Sequence, residues 1–372
     1  MIGEFGNVKA VTGAIAAGGF HLQNPHYVAV SRGGRPSHSP PQTGQVPAMK
    51  AILCQHYGPP EDLVLADIPD PVAGPGEVVA KVAACGLNFF DTLIIAGKYQ
   101  TKPAFPFSPG GEFAGVVESV GEGVTTLKPG DRVMGNTGYN AARERVAVPV
   151  TQIAKISGDL DFDRAAGLTV TYGTAYHALA DRAAMRAGET LCVLGASGGV
   201  GLAAVELGKA MGARVIACAS TDDKLAFARG HGADEVVNYA KEDLRDALKR
   251  LGGEHGIDVV FDPVGGPYSE PALRSLAWEG RHLVVGFAAG DIPKLPLNLV
   301  LLKGCNVLGV FWGSWVKRDV PRYQAALGEL AQWCAQGKLS AHVQQVYPLA
   351  ETAKAIKALA DRAVMGKLVV RP

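Results

Sequence analysis

Hydrophobic and polar positions follow two different rhythms along the chain. Between residues 49 and 171, short apolar runs such as 77–83 and 113–120 are separated by Gly and Pro turns. Between residues 172 and 309, near-continuous runs of Val, Ile and Leu alternate with helical stretches. The first rhythm predicts a compact, mainly antiparallel β domain. The second predicts an α/β domain whose parallel sheet carries helices on both faces, a doubly wound arrangement.

From residue 172 onward, through the second rhythm and the segment after it, the pattern predicts an ordered series of elements. We expect helices at residues 222–230, 268–278, 323–336 and 350–362. The expected strands are 190–194, 214–219, 234–239, 257–262, 282–286 and a final strand at 367–370. In the first half, a Lys-Pro-Gly-Asp turn at 128–131 leads into a strand at 131–134.

A glycine-rich turn joins the strand at 190–194 to an apolar helical stretch. Residues 195–201 are Gly-Ala-Ser-Gly-Gly-Val-Gly, with Ala196 in the place of the first glycine of the usual Gly-x-Gly-x-x-Gly spacing. Gly198 has no Cβ to keep the backbone away from a phosphate, and Gly201 lets the helix pack close to the strand. The unpaired N–H groups at the helix start would meet the phosphate charge. Strand, turn and helix together predict a Rossmann domain that binds a dinucleotide.

The end of the next strand bears on the choice of nicotinamide cofactor. NAD sites usually hold the ribose 2′-OH with an Asp or Glu about 20 residues after the glycines. Here that place reads Cys-Ala-Ser-Thr at 218–221, without a carboxylate. Ser220 and Thr221 can hydrogen-bond a 2′-phosphate, and Lys224, one helical turn further on, can supply charge, which favours NADPH over NADH. The alternative is an ordinary helix start, with Ser220 or Thr221 as N-cap and the aspartates at 222–223 in the first turn. The carboxylates at 222–223 would repel a phosphate unless they point away from it.

Composition narrows the classes of function. The 372 residues carry a formal net charge of +1 with no long basic run, so the chain lacks the electrostatic footprint of a nucleic-acid or anionic-membrane partner. No apolar segment reaches the roughly 20 residues that a membrane span requires. Six cysteines are scattered without a Cys-x-x-Cys pair, which is typical of a reduced cytoplasmic protein. They stand at positions 54, 85, 192, 218, 305 and 334.

Residues 1–48 differ in kind from the rest. They are rich in Gly, Pro, Ser, Asn and His, and they end at Met49, which begins Met-Lys-Ala-Ile-Leu like a second start. We expect a disordered or non-native leader, from a misassigned upstream start or from cloning. An organellar targeting peptide is the alternative, because Glu4 is the only acid, although three basic residues are few for one.

Several spaced motifs carry a resemblance that covers residues 49–372. They are Ala-Cys-Gly-Leu-Asn-Phe-Phe-Asp at 84–91, Pro-Gly-Gly-Glu-Phe-Ala-Gly at 109–115, Val-Gly-Glu-Gly-Val at 120–124, Lys-Pro-Gly-Asp-Arg-Val at 128–133, the glycine turn, Val-Gly-Phe at 285–287 and Gly-Lys-Leu-Val-Val at 366–370. In this order they resemble the medium-chain dehydrogenase/reductase superfamily. Within it, they resemble the zinc-independent NADPH:quinone oxidoreductases related to zeta-crystallin.

The resemblance implies an organisation in two domains. A GroES-like catalytic domain would be built from residues 49–171 and 310–372, and it would form a cleft with the Rossmann domain at 172–309. The resemblance also implies a homodimer that pairs through the apolar run at 306–311, although an internal place for that run fits equally well.

The same motifs indicate whether the site could bind a catalytic zinc ion. In the zinc-dependent relatives a Cys stands at the place of Asn88 and a His at the place of Gly111, so two usual ligands of a catalytic zinc are absent. Cys85 alone does not replace them, and the resemblance implies a site without a metal. Without that Lewis acid, the acceptor must already take hydride readily, as quinones and C=C bonds conjugated to carbonyls do.

By resemblance, the cofactor is held from three sides. Ser197, Gly198, Gly199 and Val200 would bind the pyrophosphate, Ser220, Lys224 and Tyr239 would surround the adenosine phosphate, and Gly286, Phe287, Ala288, Phe311, Trp312 and Lys367 would line the nicotinamide side. Other interpretations stay open for several of them. Phe311 and Trp312 also suit a core or a subunit contact. Tyr239 suits a half-buried strand end, and Lys367 suits a solvated place before the last strand.

For the substrate, the candidates are Asn88, with Asp91 as a helper, and Tyr99. Asn88 would donate a hydrogen bond to a carbonyl oxygen, and Asp91 would hold Asn88 or the ribose; capping a short helix at 90–96 is the alternative for Asp91. Many quinone reductases of this kind carry a Tyr directly after the Asp-Thr pair, where this chain has Leu93. Tyr99 lies too far along to inherit that place by motif.

These residues leave three functions open. The leading one is an NADPH-dependent reductase that passes hydride to a quinone. An enoyl or alkenal reductase, acting on an activated C=C bond or a CoA thioester, shares the same fold and motifs. A non-catalytic NADPH-binding protein related to zeta-crystallin is the third.

Overall fold

The computed structural model describes residues 48–156 and 158–372, so the leader expected at residues 1–48 lies, apart from Ala48, outside the described residues. The strands in chain order are β1 (Ala48–Leu53), β2 (Val64–Pro69), β3 (Glu77–Leu87), β4 (Glu112–Val120), β5 (Arg132–Asn136), β6 (Arg145–Pro149), β7 (Ile153–Lys155), β8 (Thr190–Leu194), β9 (Arg214–Ala219), β10 (Glu235–Asn238), β11 (Ile257–Asp262), β12 (Leu276–Val284), β13 (Asn306–Gly309), β14 (Val343–Pro348) and β15 (Lys367–Arg371).

The helices lie mostly between the later strands. They are α1 (Phe89–Ile95), α2 (Phe162–Ala166), α3 (Gly173–Tyr176), α4 (Gly199–Ala210), α5 (Asp222–Gly230), α6 (Leu244–Gly252), α7 (Ser269–Arg274), α8 (Leu297–Lys303), α9 (Trp312–Arg318), α10 (Val320–Ala335) and α11 (Thr352–Ala360). Two π-helical segments, Leu168–Tyr172 and His177–Arg182, flank α3.

The parallel sheet confirms the doubly wound prediction. In the described chain it has six strands in the order β10-β9-β8-β11-β12-β13, and every neighbouring pair is parallel. Counted along the chain, this is the 3-2-1-4-5-6 order of a Rossmann sheet, with the reversal between β8 and β11. In such a sheet, ligands bind at the carboxyl ends of the strands beside the reversal. The turn after β8 lies there.

Helices cover both faces of this sheet because successive side chains of a strand point to opposite sides. In β8, Leu191 and Val193 pack into one apolar cluster with Ala203 and Ala204 of α4. Cys192 and Leu194 pack into another with residues of α6 and α7. All five residues of β8 are buried, which explains its continuous apolar sequence.

The second sheet is mainly antiparallel, as predicted for the GroES-like part. Its strands run β14-β15-β3-β4-β5-β7, with β6 paired to β3, and only β14 and β15 pair in parallel. It therefore combines strands from residues 77–155 with two from residues 343–371. This membership supports the domain boundaries after residues 171 and 309, which we retain as a proposal. The sequence did not predict β14.

One predicted helix is too long. The helix expected at 268–278 ends at Arg274, and Leu276 already pairs with Ile257 as β12 begins. A bulge follows, because Val259 pairs with Arg281, and Glu279 adopts a φ of 60°. Pairing with the buried β11 therefore overrides the helical pattern of this segment.

Candidate active site

The glycine turn closes tightly between β8 and α4. Gly195 has a φ of 61°, in the region that favours glycine. A Cβ on Gly201 would lie 2.2 Å from the carbonyl oxygen of Gly195, so only glycine allows the helix this close to the strand. A Cβ on Gly198 would meet nothing closer than 3.6 Å, so the protein itself leaves the space beside Gly198 open.

The start of α4 is suited to an anion. Its N-cap, Gly198, offers no side-chain hydrogen bond, and the first turn contains no acidic residue. The first N–H groups of this twelve-residue helix are therefore free of a side-chain cap, and the helix dipole favours negative charge there. Ser197 is buried and Val200 is half-buried beside this start. Gly198 also forms a bridge with Gly366, and the Gly366 N–H donates to the Ser197 carbonyl at 2.8 Å.

Ser220 and Lys224 lie at the carboxyl end of β9. Thr221 is the N-cap of α5, as in the ordinary helix start, and its Oγ1 accepts from the Lys224 N–H at 3.4 Å. The Asp222 carboxylate accepts hydrogen bonds from Lys241 Nζ at 2.5 Å and from Asn238 Nδ2 at 2.6 Å. Its carboxylate is thus neutralised locally. The Lys224 ammonium donates to the carbonyl oxygen of Arg362 at 3.1 Å.

Arg362 is a further cation beside this group. Its guanidinium donates to the carbonyl oxygen of Ala288 at 2.7 Å, and its charge lowers the pKa of Tyr239, although burial outweighs it and raises that pKa to about 12. Tyr239 follows β10, half-buried as the alternative interpretation expects, with its ring 4.3 Å from that of Tyr268. One cluster thus contains two basic side chains, Lys224 and Arg362, and the phenol of Tyr239.

The proposed nicotinamide residues follow β12 and β13. Gly286 and Ala288 donate backbone hydrogen bonds to Asp262 and Pro263 after β11, and Phe287 is 39% exposed. Phe311 is 62% exposed. Trp312 is buried, packs edge-on against Tyr323, and its Nε1 has no hydrogen-bond partner among the described residues. Trp312 is thus a core residue, as the alternative interpretation expects, and its indole N–H is unpaired among the described residues.

A buried polar cluster lies where β3 ends and α1 begins. The Asn88 Nδ2 donates to Glu112 Oε1 at 2.8 Å, and its Oδ1 accepts from Lys367 Nζ at 2.8 Å. Lys367 Nζ also donates to Glu112 Oε1 at 2.7 Å and to the Leu87 carbonyl at 2.8 Å. Lys367 is therefore not the solvated residue of the alternative interpretation, since it is only 2% exposed.

Asp91 holds the backbone around Asn88. Its Oδ2 accepts from the Asn88 N–H at 2.7 Å, which completes a capping box for α1, and its Oδ1 accepts from the Gly110 N–H at 2.9 Å. Asp91 is fully buried, and burial raises its pKa to about 7 although both N–H groups and Lys367 lower it. It is both the helix cap and the support of Asn88.

Tyr99 lies beside the cluster without joining it. Its ring stacks on Phe90 with centroids 5.5 Å apart, and burial together with the charge of Asp91 raises the pKa of the Tyr99 hydroxyl. Among the hydrogen bonds of the described chain, none joins Tyr99 to Asn88 or Asp91. The contact that the structure gives Tyr99 here is the stack on Phe90.

Comparisons with known proteins agree with this geometry. Residues 74–174 match the family model "Alcohol dehydrogenase GroES-like domain", and residues 199–332 match the model "Zinc-binding dehydrogenase". Over 328 residues the chain is 38% identical to quinone oxidoreductase-like protein 2 of Rattus norvegicus, which covers 88% of this chain and 93% of that protein. The chain belongs to the quinone oxidoreductase family of medium-chain dehydrogenases/reductases.

Solved structures share the fold. A probable oxidoreductase from Mycobacterium abscessus superposes with a TM-score of 0.80 at 38% identity, over 88% of this chain and 100% of that one. The quinone oxidoreductase of Escherichia coli, solved in complex with NADPH, superposes with a TM-score of 0.80 at 30% identity, over 87% and 100% of the two chains.

Sequence reasoning within this family missed Glu112 and Arg362 as candidate site residues. Glu112 is fully buried, and its second oxygen accepts from the Val170 N–H at 2.7 Å. A lone carboxylate directly before the apolar run Phe-Ala-Gly-Val was a signal for Glu112, because buried carboxylates need partners. Arg362 carried no comparable signal, since its place depends on the fold.

The structure gives three further findings on this family member. Cys85 lies against Gly110, and burial with the charges of Asp91 and Glu112 raises the pKa of its thiol well above the ordinary value. Over residues 48–156 and 158–372, no three His, Cys, Asp or Glu side chains are grouped to hold a metal ion. None of the helices found there is long and apolar enough to cross a membrane.

Proposed function

We propose that this protein is an NADPH-dependent reductase that passes hydride to a quinone without a metal ion. One observation carries the proposal: a glycine-lined helix start without a side-chain cap lies after β8, while a cluster of cations lies after β9. Family membership and the relatives named quinone oxidoreductase support it.

The chain offers suitable contacts for each part of NADPH. Ser197, Gly198, Gly199 and Val200 would hold the pyrophosphate at the start of α4, because its N–H groups carry partial positive charge. Ser220, Lys224 and Tyr239 would surround the 2′-phosphate, and Arg362 joins them through its contact with Lys224. Gly286, Phe287, Ala288 and Phe311 would border the nicotinamide, and the unpaired Trp312 Nε1 is a buried donor on that side.

Asn88 is the residue that would touch the acceptor. When bound, NADPH supplies the hydride. The Asn88 Nδ2 has two N–H bonds, and one of them is taken by Glu112. The second would donate to the acceptor oxygen on which negative charge develops, as an oxyanion-stabilising group does. Asp91 fixes the backbone of Asn88, and Tyr99 with Phe90 walls the site. The amide at position 88 and the glycine at position 111 support a reaction without zinc.

The test is NADPH oxidation with several acceptors side by side: benzoquinone, phenanthrenequinone, an alkenal and an enoyl-CoA. We expect turnover of the quinones, and Asn88→Ala should lower kcat about 100-fold. Gln332→Ala, which removes an exposed amide on α10, serves as the control and should leave kcat unchanged. Exclusive turnover of the alkenal or the enoyl-CoA would contradict the quinone assignment. NADPH binding without turnover of any acceptor would favour the non-catalytic alternative.

The cofactor is tested in the same assay. We expect Lys224→Ala to raise the KM for NADPH about tenfold or more, because it removes a charged hydrogen bond to the 2′-phosphate. The KM for NADH should not change, since NADH lacks that phosphate. An unchanged KM for NADPH would contradict the role given to Lys224.

We also propose that two copies form a homodimer. β13 is the outermost strand of the six-stranded sheet in the described chain, and an edge strand pairs readily with another chain. Next to β12, α8 exposes Leu297, Leu301 and Leu302 at 79%, 80% and 71%. An apolar helix face beside an open strand edge is typical of a subunit interface. A cytoplasmic location is part of the proposal, supported by six free, buried thiols.

A further inference from the structure

A buried ion pair lies inside the candidate site. Lys367 Nζ and Glu112 Oε1 are 2.7 Å apart, with side chains that are 3% and 0% exposed. Burying two charges in this way usually gives no more stability than apolar side chains of the same size would give. The pair therefore calls for an explanation other than stability, and its contacts with Asn88 supply one.

The two charges orient the Asn88 amide. Lys367 can only donate and ionised Glu112 can only accept, so the amide oxygen faces Lys367 and the amide nitrogen faces Glu112. Rotating the amide by half a turn would set an NH2 group against the ammonium and an oxygen against the carboxylate. The charges thus allow one of the two amide orientations and oppose the other.

Lys367 has no donor left for another molecule. Its three N–H bonds go to the Leu87 carbonyl, Asn88 Oδ1 and Glu112 Oε1. A direct hydrogen bond from Lys367 to a cofactor would require one of these to break. The side chain therefore acts on neighbouring residues of the protein.

We propose that the Lys367–Glu112 pair is a positioning device that fixes the Asn88 amide, so that its second N–H points in one direction towards the acceptor. The proposal rests on the function proposed above. In this proposal neither Lys367 nor Glu112 exchanges a proton with the substrate. They are positioning residues, whereas Asn88 is the group that touches the acceptor.

The backbone ties this device to the cofactor turn. Gly366, directly before Lys367, donates to the Ser197 carbonyl at 2.8 Å, and a Cβ on Gly199 would lie 3.3 Å from Lys367 Cδ. The start of β15 therefore holds the glycine turn through its backbone and Asn88 through its side chain. Gly366 and Lys367 therefore contact both the turn that would hold the cofactor and the amide that would touch the acceptor.

The first test is a double-mutant cycle on whichever acceptor the wild-type protein reduces. Lys367→Met should lower kcat about tenfold or more and leave the KM for NADPH unchanged. In the Asn88→Ala background the same change should have little further effect, because Lys367 acts through Asn88. Lys354→Met, which breaks an exposed ion pair with Glu351, is the matched control. An equal loss of kcat in both backgrounds would overturn the proposal.

Lys367→Met leaves the Glu112 carboxylate buried without its partner and so destabilises the fold; a variant that removes both charges avoids this. In Lys367→Met/Glu112→Gln, the new amide must turn its oxygen to the Val170 N–H, so its NH2 group faces Asn88. The Asn88 amide should then turn its oxygen towards that NH2 group, which is the reverse of its orientation in the wild type. We expect a folded protein with an unchanged melting temperature and a similarly lowered kcat. A kcat equal to that of the wild type would overturn the proposal.

A readout without turnover separates this proposal from the proposed function. In protein containing isotope-labelled asparagine and no NADPH, the Asn88 side-chain amide is assigned by its loss in Asn88→Ala. We expect slowly exchanging amide protons in the wild type and shifted, fast-exchanging ones in the double variant. Identical signals in both would overturn the positioning role even if quinones are reduced. The expected change would support it even if the natural acceptor proves to be another compound.

Discussion

At the scale of single residues, charged groups hold the neutral side chain and backbone of Asn88 from three directions. Asp91 accepts its backbone N–H, Lys367 donates to its amide oxygen, and Glu112 accepts from its amide nitrogen. A neutral amide has no preferred orientation of its own in a polar pocket, so its surroundings must supply one. Here three buried side chains supply it.

The pKa of Asp91 predicts how stability depends on pH. Burial raises this pKa from 3.8 to about 7, so the folded state binds the proton more tightly than the unfolded state between these values. The contribution of Asp91 to the free energy of unfolding is therefore greatest below its ordinary pKa and falls as the pH rises through about 7. The fall should not exceed about 1.4 kcal/mol per pH unit.

Urea unfolding from pH 5 to pH 8 measures this effect against Asp91→Asn, whose side chain does not titrate. We expect the advantage of the wild type over the variant to shrink as the pH rises. An advantage that stayed constant, or grew towards pH 8, would contradict the raised pKa.

The residue scale is also where the sequence was least informative. Asn88 and Asp91 could be selected because they stand in one short motif. The pairing of Lys367 with Glu112 joins residues 255 positions apart, and no periodicity or local spacing reports such a contact. Sequence reasoning therefore placed Lys367 at the site by resemblance but could not predict what it binds.

At the scale of elements, β8, the glycine turn and α4 were predictable together. A fully buried parallel strand is continuously apolar, and the approach of a helix to it requires glycine at fixed places. The helix expected at 268–278 failed for the opposite reason. Its last residues belong to β12 through a bulge against β11, and a bulge leaves no local sequence signature at this position.

Two glycine substitutions test this close packing. Gly201→Ala should lower the free energy of unfolding by about 1–3 kcal/mol, because the new Cβ would overlap the Gly195 carbonyl. Gly230→Ala in α5 is the matched control: its Cβ meets nothing within 4 Å, so the change should raise stability by about 0.4–1 kcal/mol. Urea unfolding of both variants distinguishes them. An equal change in the free energy of unfolding for the two variants would show that the helix does not pack as closely on the turn at Gly201 as described.

At the scale of the whole molecule, the two larger sheets of the described chain share one apolar core. Side chains of β4 and β5, such as Ala114 and Met134, belong to the same cluster as Leu191 and Val193 of β8. The backbone bond between Gly366 and Ser197 adds a polar connection at the site. The sequence predicted the two kinds of sheet but not this shared core, because the contacts that build it are distant along the chain.

The exposed face of α8 leads to a prediction about assembly. Leu301→Lys places a charge in the proposed interface, and we expect the dimer to dissociate in sedimentation velocity at micromolar concentration. Folding should be unaffected, because Leu301 is 80% exposed within the single chain. Val72→Lys, at a position 86% exposed, should leave the dimer intact. A wild-type protein that sediments as a monomer would refute the homodimer.

The place of Gly366 and Lys367 in the sequence has a consequence for how the protein is made. A growing chain that ends before residue 366 already contains the glycine turn, Asn88 and Glu112, and all six strands of the parallel sheet. It lacks the backbone donor for Ser197 and the cation that faces Glu112. During synthesis these two contacts of the candidate site therefore form only after all six strands of the parallel sheet have been made, and a chain stopped at residue 365 would have those strands but an unfinished site.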